Sequence, residues 1–191
     1  LICKHIIPII EPVKLSSTLL KTLECFIASN RDVAVIHNPQ VGNFGNDVGA
    51  LNDNLLKNRY IELFNNGYII KAHILNKNST AELNELLLHG FQKESLLTIC
   101  CNRDCTEFYK EKFENSPPQY NLMPNESAFK HKIRKNKVML SDRFVKQNRN
   151  TDYANTEDEF FSDDHLFYTE DGFIGYSDYS IIGEEFSESG F

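Results

Sequence analysis

The sequence predicts an α/β fold of parallel βα units that is similar to a TIM barrel, either a whole barrel or an incomplete one. Short apolar, β-prone runs recur without the alternation of a half-exposed strand, and segments of helix length separate them. Each run ends in a polar residue at a turn, and these residues follow one another at intervals of 26 to 40 residues. Such intervals fit repeated βα units whose strands are buried on both faces.

The first strand is predicted over residues 6–10, and it closes at Glu11-Pro12 because a proline confines the residue before it to extended backbone. Leucine and phenylalanine at three- and four-residue spacing predict a helix over 17–28. The same reasoning predicts the elements up to residue 90, which are a strand over 32–37, a helix over 51–65, a strand over 68–75 and a helix over 79–89.

That last helix carries local start and stop signals. Ser79 and Glu82 have the spacing of a capping box, and Gly90 is the expected C-terminal stop. The following elements are a strand over 96–101, a helix over 104–113, a basic helix over 125–135 and a strand over 138–140.

The acidic C-terminal segment, residues 150–191, is predicted to contain a β-hairpin. Residues 166–168 and 173–176 are β-prone and flank Asp171-Gly172, a dipeptide typical of tight hairpin turns. We expect this segment to belong to the same single α/β domain, residues 1–191, because a chain of this size can surround one core. The chain starts at Leu1 and not at Met, so we expect it to be a fragment of a longer protein.

The composition indicates a globular protein of the cytoplasm. No run reaches the roughly 18 uncharged apolar residues of a membrane span, so no membrane association is predicted. Five cysteines cannot all pair within the chain, which favours reduced thiols and a cytoplasmic location.

The net charge of −7 is unevenly distributed. Residues 126–149 contribute +6, whereas residues 150–191 hold 12 acidic residues and no Lys or Arg. Two neighbouring segments of opposite sign can satisfy each other inside one fold. Nucleic-acid binding by the whole surface is therefore disfavoured, although the basic helix leaves a phosphate-rich partner as an alternative.

Polar residues at the predicted strand ends are the first candidate site. The carboxyl ends of parallel strands lie along one edge, where α/β proteins bind ligands, although Asn and Asp also favour turns there for local reasons. The candidate ligand-binding residues are Asn38, Gln40, Asn76 and Asn102, and the candidate catalytic residues are Glu11, Asp142, Arg143 and Asp178.

A second candidate is a metal site formed by Asp163, Asp164 and His165, to which Asp178 and Glu184 could contribute. Carboxylate oxygens and one imidazole suit Mg²⁺, Mn²⁺ or Zn²⁺, and such an ion can activate water. The spacing matches no defined metal signature, and a solvated acidic loop is the alternative. A divalent metal ion is the one cofactor that the sequence suggests.

Four segments resemble the Beta-protein family, a family of largely uncharacterised bacterial and phage proteins. They are residues 6–13 (IIPIIEPV), 36–42 (IHNPQVG), 161–167 (FSDDHLF) and 175–180 (GYSDYS). The resemblance implies a barrel-like α/β fold and transfers no activity and no catalytic residues. It also implies that members extend beyond both ends of this chain.

Two functions from different classes are predicted. The first is a binding or regulatory component of a bacterial or phage-linked system, with a small polar or phosphate-containing ligand at the strand ends. The alternative is a metal-assisted phosphodiester or nucleotide hydrolase, with Glu11, Asp142 and Asp178 as metal ligands or bases and Arg143 on a phosphate. The sequence leaves open whether the protein is an enzyme, and a homo-oligomer is a further possibility.

Overall fold

The computed structural model describes residues 5–49, 55–142, 149, 151 and 162–179 of the chain. Within them, seven parallel strands form one sheet, which curls into a half-barrel with helices between the strands. The predicted α/β class, with parallel βα units and an incomplete barrel, is confirmed. No helix in these residues is both long and apolar enough to span a bilayer.

The strands lie side by side in chain order, and every neighbouring pair is parallel. They are β1 (Ile9–Ile10), β2 (Val33–Ile36), β3 (Ile69–Ile74), β4 (Leu97–Ile99), β5 (Tyr120–Met123), β6 (Lys137–Leu140) and β7 (Gly175–Ser177). The helices are α1 (Ser17–Ala28), α2 (Phe44–Gly49), α3 (Leu55–Phe64), α4 (Ser79–Leu88), α5 (Thr106–Phe113), α6 (Ser127–Lys132) and α7 (Asp164–Phe167).

Both faces of the sheet are apolar, which explains the absence of alternation in the sequence. On one face, residues such as Val33, Val35 and Ile69 pack against the helices. On the other face, Ala34 and Ile36 join a separate cluster with the remaining inward-pointing strand residues. Since successive side chains point to opposite faces, a strand buried on both faces must be apolar throughout.

Helix α1 has the predicted bounds, residues 17–28. Ser16 caps its first turn, because the Ser16 hydroxyl oxygen accepts a hydrogen bond from the Leu19 amide at 3.2 Å. Leu19, Leu20 and Leu23 are buried on one face of the helix. This periodic apolar face is the feature that the sequence displays most directly.

The predicted β-hairpin is wrong. Residues 166–168 belong to α7 and the turn after it, and β7 pairs in parallel with β6. Gly172, with φ +77°, reverses the chain after α7, and the Ile174 amide then donates to the Lys137 carbonyl. Pairing with an existing parallel sheet satisfies the backbone of this segment better than an isolated two-stranded ribbon would. The sequence also missed β5 and α2.

Gly42 lies in the loop between β2 and α2, where the backbone adopts φ +71°. The Val13 carbonyl accepts hydrogen bonds from Asn43 and Phe44 in this loop, so the two segments of backbone approach closely. A Cβ atom at Gly42 would lie 2.1 Å from that Val13 carbonyl oxygen. Glycine is therefore required here by both conformation and space.

We expect Gly42→Ala to lower the free energy of unfolding by about 2 kcal/mol or more, because it adds a backbone clash to an unfavourable φ. Gly45→Ala is the matched control, since a Cβ there meets nothing within 4 Å and lies in α2. The control should be neutral or slightly stabilising. Urea denaturation measures both, and equal losses in the two variants would contradict this assignment.

Lys71 is a buried cation in the middle of β3, with 7% of its surface exposed. Its ammonium donates to the Ile69 carbonyl at 2.8 Å and lies near the rings of Phe64 and Phe91. Burial lowers the pKa of Lys71 to about 8. The charged amine therefore destabilises the folded state at neutral pH.

Lys71→Met should raise the free energy of unfolding at pH 7 by about 1–3 kcal/mol, because it removes a buried charge while keeping the volume. In the parent chain, the unfolded state binds more protons than the folded state between pH 8 and 10.5, so stability should rise with pH across that window. The variant should lose this rise. Denaturation at pH 7, 8, 9 and 10 tests both effects, and an unchanged pH profile in the variant would refute them.

Candidate functional site

Polar residues at the carboxyl ends of β1, β2 and β3 form one hydrogen-bonded cluster. We call it the β1–β3 network; its members are Glu11, His37, Asn38, Gln40, His73, Asn76, Ser79 and Glu82. Four of them, Glu11, Asn38, Gln40 and Asn76, are strand-end candidates from the sequence. Parallel pairing brings them together because each follows the carboxyl end of its strand.

Asn38 extends the backbone ladder beyond β2. Its amide group donates to the Ile74 carbonyl at 2.8 Å, and its side-chain oxygen accepts from the Ile74 amide at 2.9 Å. The Glu82 carboxylate of α4 also accepts from Asn38 at 2.7 Å and from Asn76 at 3.2 Å. Glu82 thus joins α4 to the ends of two strands.

Glu11 joins β1 to the same cluster. Its carboxylate accepts a hydrogen bond from the backbone amide of Gln40 at 2.7 Å, and the Gln40 side chain donates to the Asn38 carbonyl at 2.6 Å. The strand-end amides and carboxylates therefore mainly bind one another and the backbone.

Three side chains of the network, those of His37, His73 and Ser79, are linked in a row. His37 Nε2 and His73 Nδ1 are 2.7 Å apart, and His73 Nε2 is 2.8 Å from Ser79 Oγ. The two imidazole rings are stacked with centroids 4.8 Å apart. His73 and Ser79 are completely buried, so Ser79 is not accessible as a nucleophile despite its contact with a histidine.

Both histidines are neutral at physiological pH. Burial lowers the pKa of His37 to about 4. Burial and, secondly, the nearby His37 lower the pKa of His73 to about 3. Ser79 Oγ accepts from the Asn76 amide at 2.8 Å, and the Ser79 hydroxyl can in turn donate to His73 Nε2, in which case His73 donates from Nδ1 to His37 Nε2. This arrangement gives both ring nitrogens of His73 a hydrogen-bond partner.

The predicted capping box at Ser79 and Glu82 is wrong. The N-cap of α4 is Asn78, which makes no side-chain capping bond. Ser79 and Glu82 instead reach back to β2 and β3 through His73 and the two asparagines. The spacing of Ser79 and Glu82 is the same in a capping box and in these contacts with the strands. The two can be distinguished only when the positions of β2 and β3 are known.

A cavity of about 120 Å³ lies at the carboxyl ends of β6 and β7. We call it the strand-end cavity, and its lining residues are Met139, Ser141, Ser162, Asp164, His165, Tyr176, Ser177 and Asp178. The strands supply one side and the segment leading into α7 supplies the other. Three sequence candidates, Asp164, His165 and Asp178, meet here.

Hydrogen bonds from backbone amides order the residues that line the strand-end cavity. The Ser162 hydroxyl oxygen accepts from the Asp164 amide at 3.0 Å, which orders the start of α7. The Ser141 amide donates to the Ser177 carbonyl at 3.3 Å, which continues the ladder between β6 and β7. The Tyr176 ring lies 6.0 Å from His165 and 5.7 Å from Tyr168, centroid to centroid. The lining thus combines carboxyl, hydroxyl and aromatic groups.

The other sequence candidates lie elsewhere. Asn102 accepts from the Asp104 amide in the turn after β4, which is local turn chemistry. Asp142 is exposed after β6, and Asp163 is the exposed residue before α7. Arg143 and Glu184 lie outside the described residues. Among the residues that are described, no three His, Cys, Asp or Glu side chains group closely enough to hold one metal ion.

Sequence reasoning missed the roles of several residues. His73 shows one usable signal, because it and Lys71 are the two polar residues in β3, a strand that is otherwise apolar. Ser141, Tyr176 and Ser177 show none, since hydroxyl residues near strand ends are common and only the fold makes them neighbours.

No family model matches this chain, and no curated protein or solved structure shows significant similarity to it. The resemblance to the Beta-protein family therefore gains no support from these comparisons. The candidate site has to be interpreted from its own geometry.

The β1–β3 network makes stability depend on pH. Since the pKa of each histidine is lower in the folded state, the unfolded chain binds more protons as pH falls below 6.5. We expect a loss of about 2–4 kcal/mol between pH 7 and pH 5, which urea denaturation measures.

His73→Gln removes one titrating imidazole, because an amide does not bind a proton in this pH range. We expect the free energy of unfolding of this variant to depend less steeply on pH, by an amount that corresponds to at most one proton taken up on unfolding. His131→Gln is the control, since His131 is exposed and lies outside the network. A His73 variant with the full slope of the parent chain would show that the network is not its source.

Proposed function

We propose that this protein binds a small polar molecule in the strand-end cavity, as a binding or regulatory component and not as a catalyst. The observation that carries the proposal is the cavity itself, in which strand-end residues and α7 combine Ser141, Asp164, His165 and Asp178 around about 120 Å³. Binding at the carboxyl ends of parallel strands is general in α/β proteins.

The β1–β3 network is less suited to ligand binding than the strand-end cavity. Asn38, Asn76 and Glu82 already bind one another and the backbone, and His73 and Ser79 are completely buried. A ligand there would have to break hydrogen bonds of the protein, each of which costs free energy to leave unmade. We assign this network a structural role, which is to hold β1, β2, β3 and α4 together.

A metal-assisted hydrolase is less well supported. Glu11 follows β1 and Asp178 follows β7, and these are the two outermost strands of the open sheet. Metal ligands must share one ion, and the described residues contain no suitable group of three. Arg143, which is predicted from the sequence to bind a phosphate, lies outside the described residues. The binding function therefore fits the geometry better.

The biological setting is also a proposal. The resemblance to the Beta-protein family suggests a bacterial or phage-linked protein. Cys25, Cys100 and Cys105 form no disulfide bond among the described residues, which favours a reducing compartment such as the cytoplasm.

Ser141→Phe should abolish binding, because Ser141 lies two residues after Met139, on the same face of the sheet, and the added ring fills the strand-end cavity. The parent chain is titrated with a panel of small amines, polyols, carboxylates and inorganic phosphate, and two-dimensional NMR follows the amide signals of Ser141, Tyr176 and Ser177. We expect at least one class to shift these signals saturably in the parent chain and not in the variant.

Thr169→Phe is the matched control, because Thr169 is exposed beside α7 and does not line the cavity. It should bind as the parent chain does. A panel that shifts none of the three signals, or that shifts them equally in Ser141→Phe, would count against the proposed function.

A further inference from the structure

We infer that the ligand of the strand-end cavity is a small organic ammonium compound. This inference rests on the proposed function and names the chemical class of its ligand. It draws on the charge, the aromatic rings, the acceptor oxygens and the size of one cavity.

The charge of the lining favours a cation. Asp164 and Asp178 line the cavity, and none of the lining residues that the structure describes is a lysine or an arginine. Neither carboxylate needs to be without a protein partner, since each offers about four lone-pair sites and can accept a ligand N–H as well. Carboxylates attract an ammonium group and repel phosphate.

The aromatic rings favour an organic cation. Tyr176 lines the cavity with half of its surface exposed, and His165 and Tyr168 lie beside it. The face of an aromatic ring attracts a cation through its quadrupole, and paired rings with a carboxylate are a common way to bind ammonium groups. A buried structural tyrosine would not leave this much ring surface accessible.

The acceptor oxygens and the size narrow the class further. The hydroxyl oxygen of Ser141 can accept hydrogen bonds from N–H groups. A cavity of about 150 Å³ holds benzene, so about 120 Å³ suits a group of about five non-hydrogen atoms. A bare divalent ion would instead require about six to eight oxygen ligands at short distance.

Three probes of similar shape separate charge from size. They are tert-butylammonium, tert-butanol and pivalate, which carry a positive, a neutral and a negative group on the same tert-butyl body. NMR titration at constant ionic strength gives the dissociation constant of each from the amide signals of Tyr176 and Ser177. We expect tert-butylammonium to bind at least about tenfold more tightly than tert-butanol, and pivalate not to bind.

Asp164→Asn should weaken tert-butylammonium binding about tenfold, since it removes a charge while keeping the shape. Asp163→Asn is the matched control, because Asp163 is the neighbouring residue, is exposed and does not line the cavity. Tyr176→Leu should weaken the ammonium probe more than it weakens tert-butanol, because it removes ring surface and leaves apolar volume.

The outcomes distinguish this inference from the proposed function. Suppose that tert-butylammonium and tert-butanol bind equally and that Ser141→Phe abolishes the binding of both. This result would overturn the ammonium class and leave a cavity for neutral polar ligands. Equal weakening by Asp163→Asn and Asp164→Asn would also overturn it, since the effect would then come from general surface charge. If every compound of the wider panel also failed to bind the parent chain, the proposed function would fall as well.

Discussion

Parallel backbone pairing in chain order is the constraint on which the other features of this structure depend. Each strand from β1 to β7 bonds to its successor, so all seven carboxyl ends lie along one edge. The pairing also requires a crossover between successive strands, and these crossovers place the helices against the sheet. Both sheet faces are therefore buried, and polar side chains concentrate where strands end.

The strand-end edge has two parts with different chemistry. At β1 to β3, polar groups satisfy each other around two neutral histidines, and this part connects the strands to α4. At β6 and β7, strand-end side chains and α7 line a cavity. The two parts differ in the helix beside them, because α4 supplies Ser79 and Glu82 to the first part, whereas α7, which is four residues long, supplies Asp164 and His165 to the second.

Desolvation disfavours the charged form of three buried basic groups, His37, His73 and Lys71. His37 and His73 are neutral near pH 7 because a buried imidazolium would lose its water, even with the Glu82 carboxylate 3.9 Å from His73 Nε2. Lys71, on the helix side of β3, keeps its charge at pH 7, although two carbonyl oxygens and two rings replace its water only in part. The buried charge of Lys71 therefore lowers stability.

The sequence by itself determined the fold class, the bounds of α1 and the placement of polar residues after β1, β2, β3, β4, β6 and β7. Periodicity, proline punctuation and strand length are local properties, so they can be read along one chain. Only the tertiary structure decided that residues 166–168 form part of a crossover and not a hairpin arm, and that Ser79 binds His73 in place of capping α4. The first choice depends on backbone pairing between groups far apart in the chain, such as Ile174 and Lys137, and the second depends on how α4 packs against the end of β3. The pattern along a single element carries no information about either arrangement.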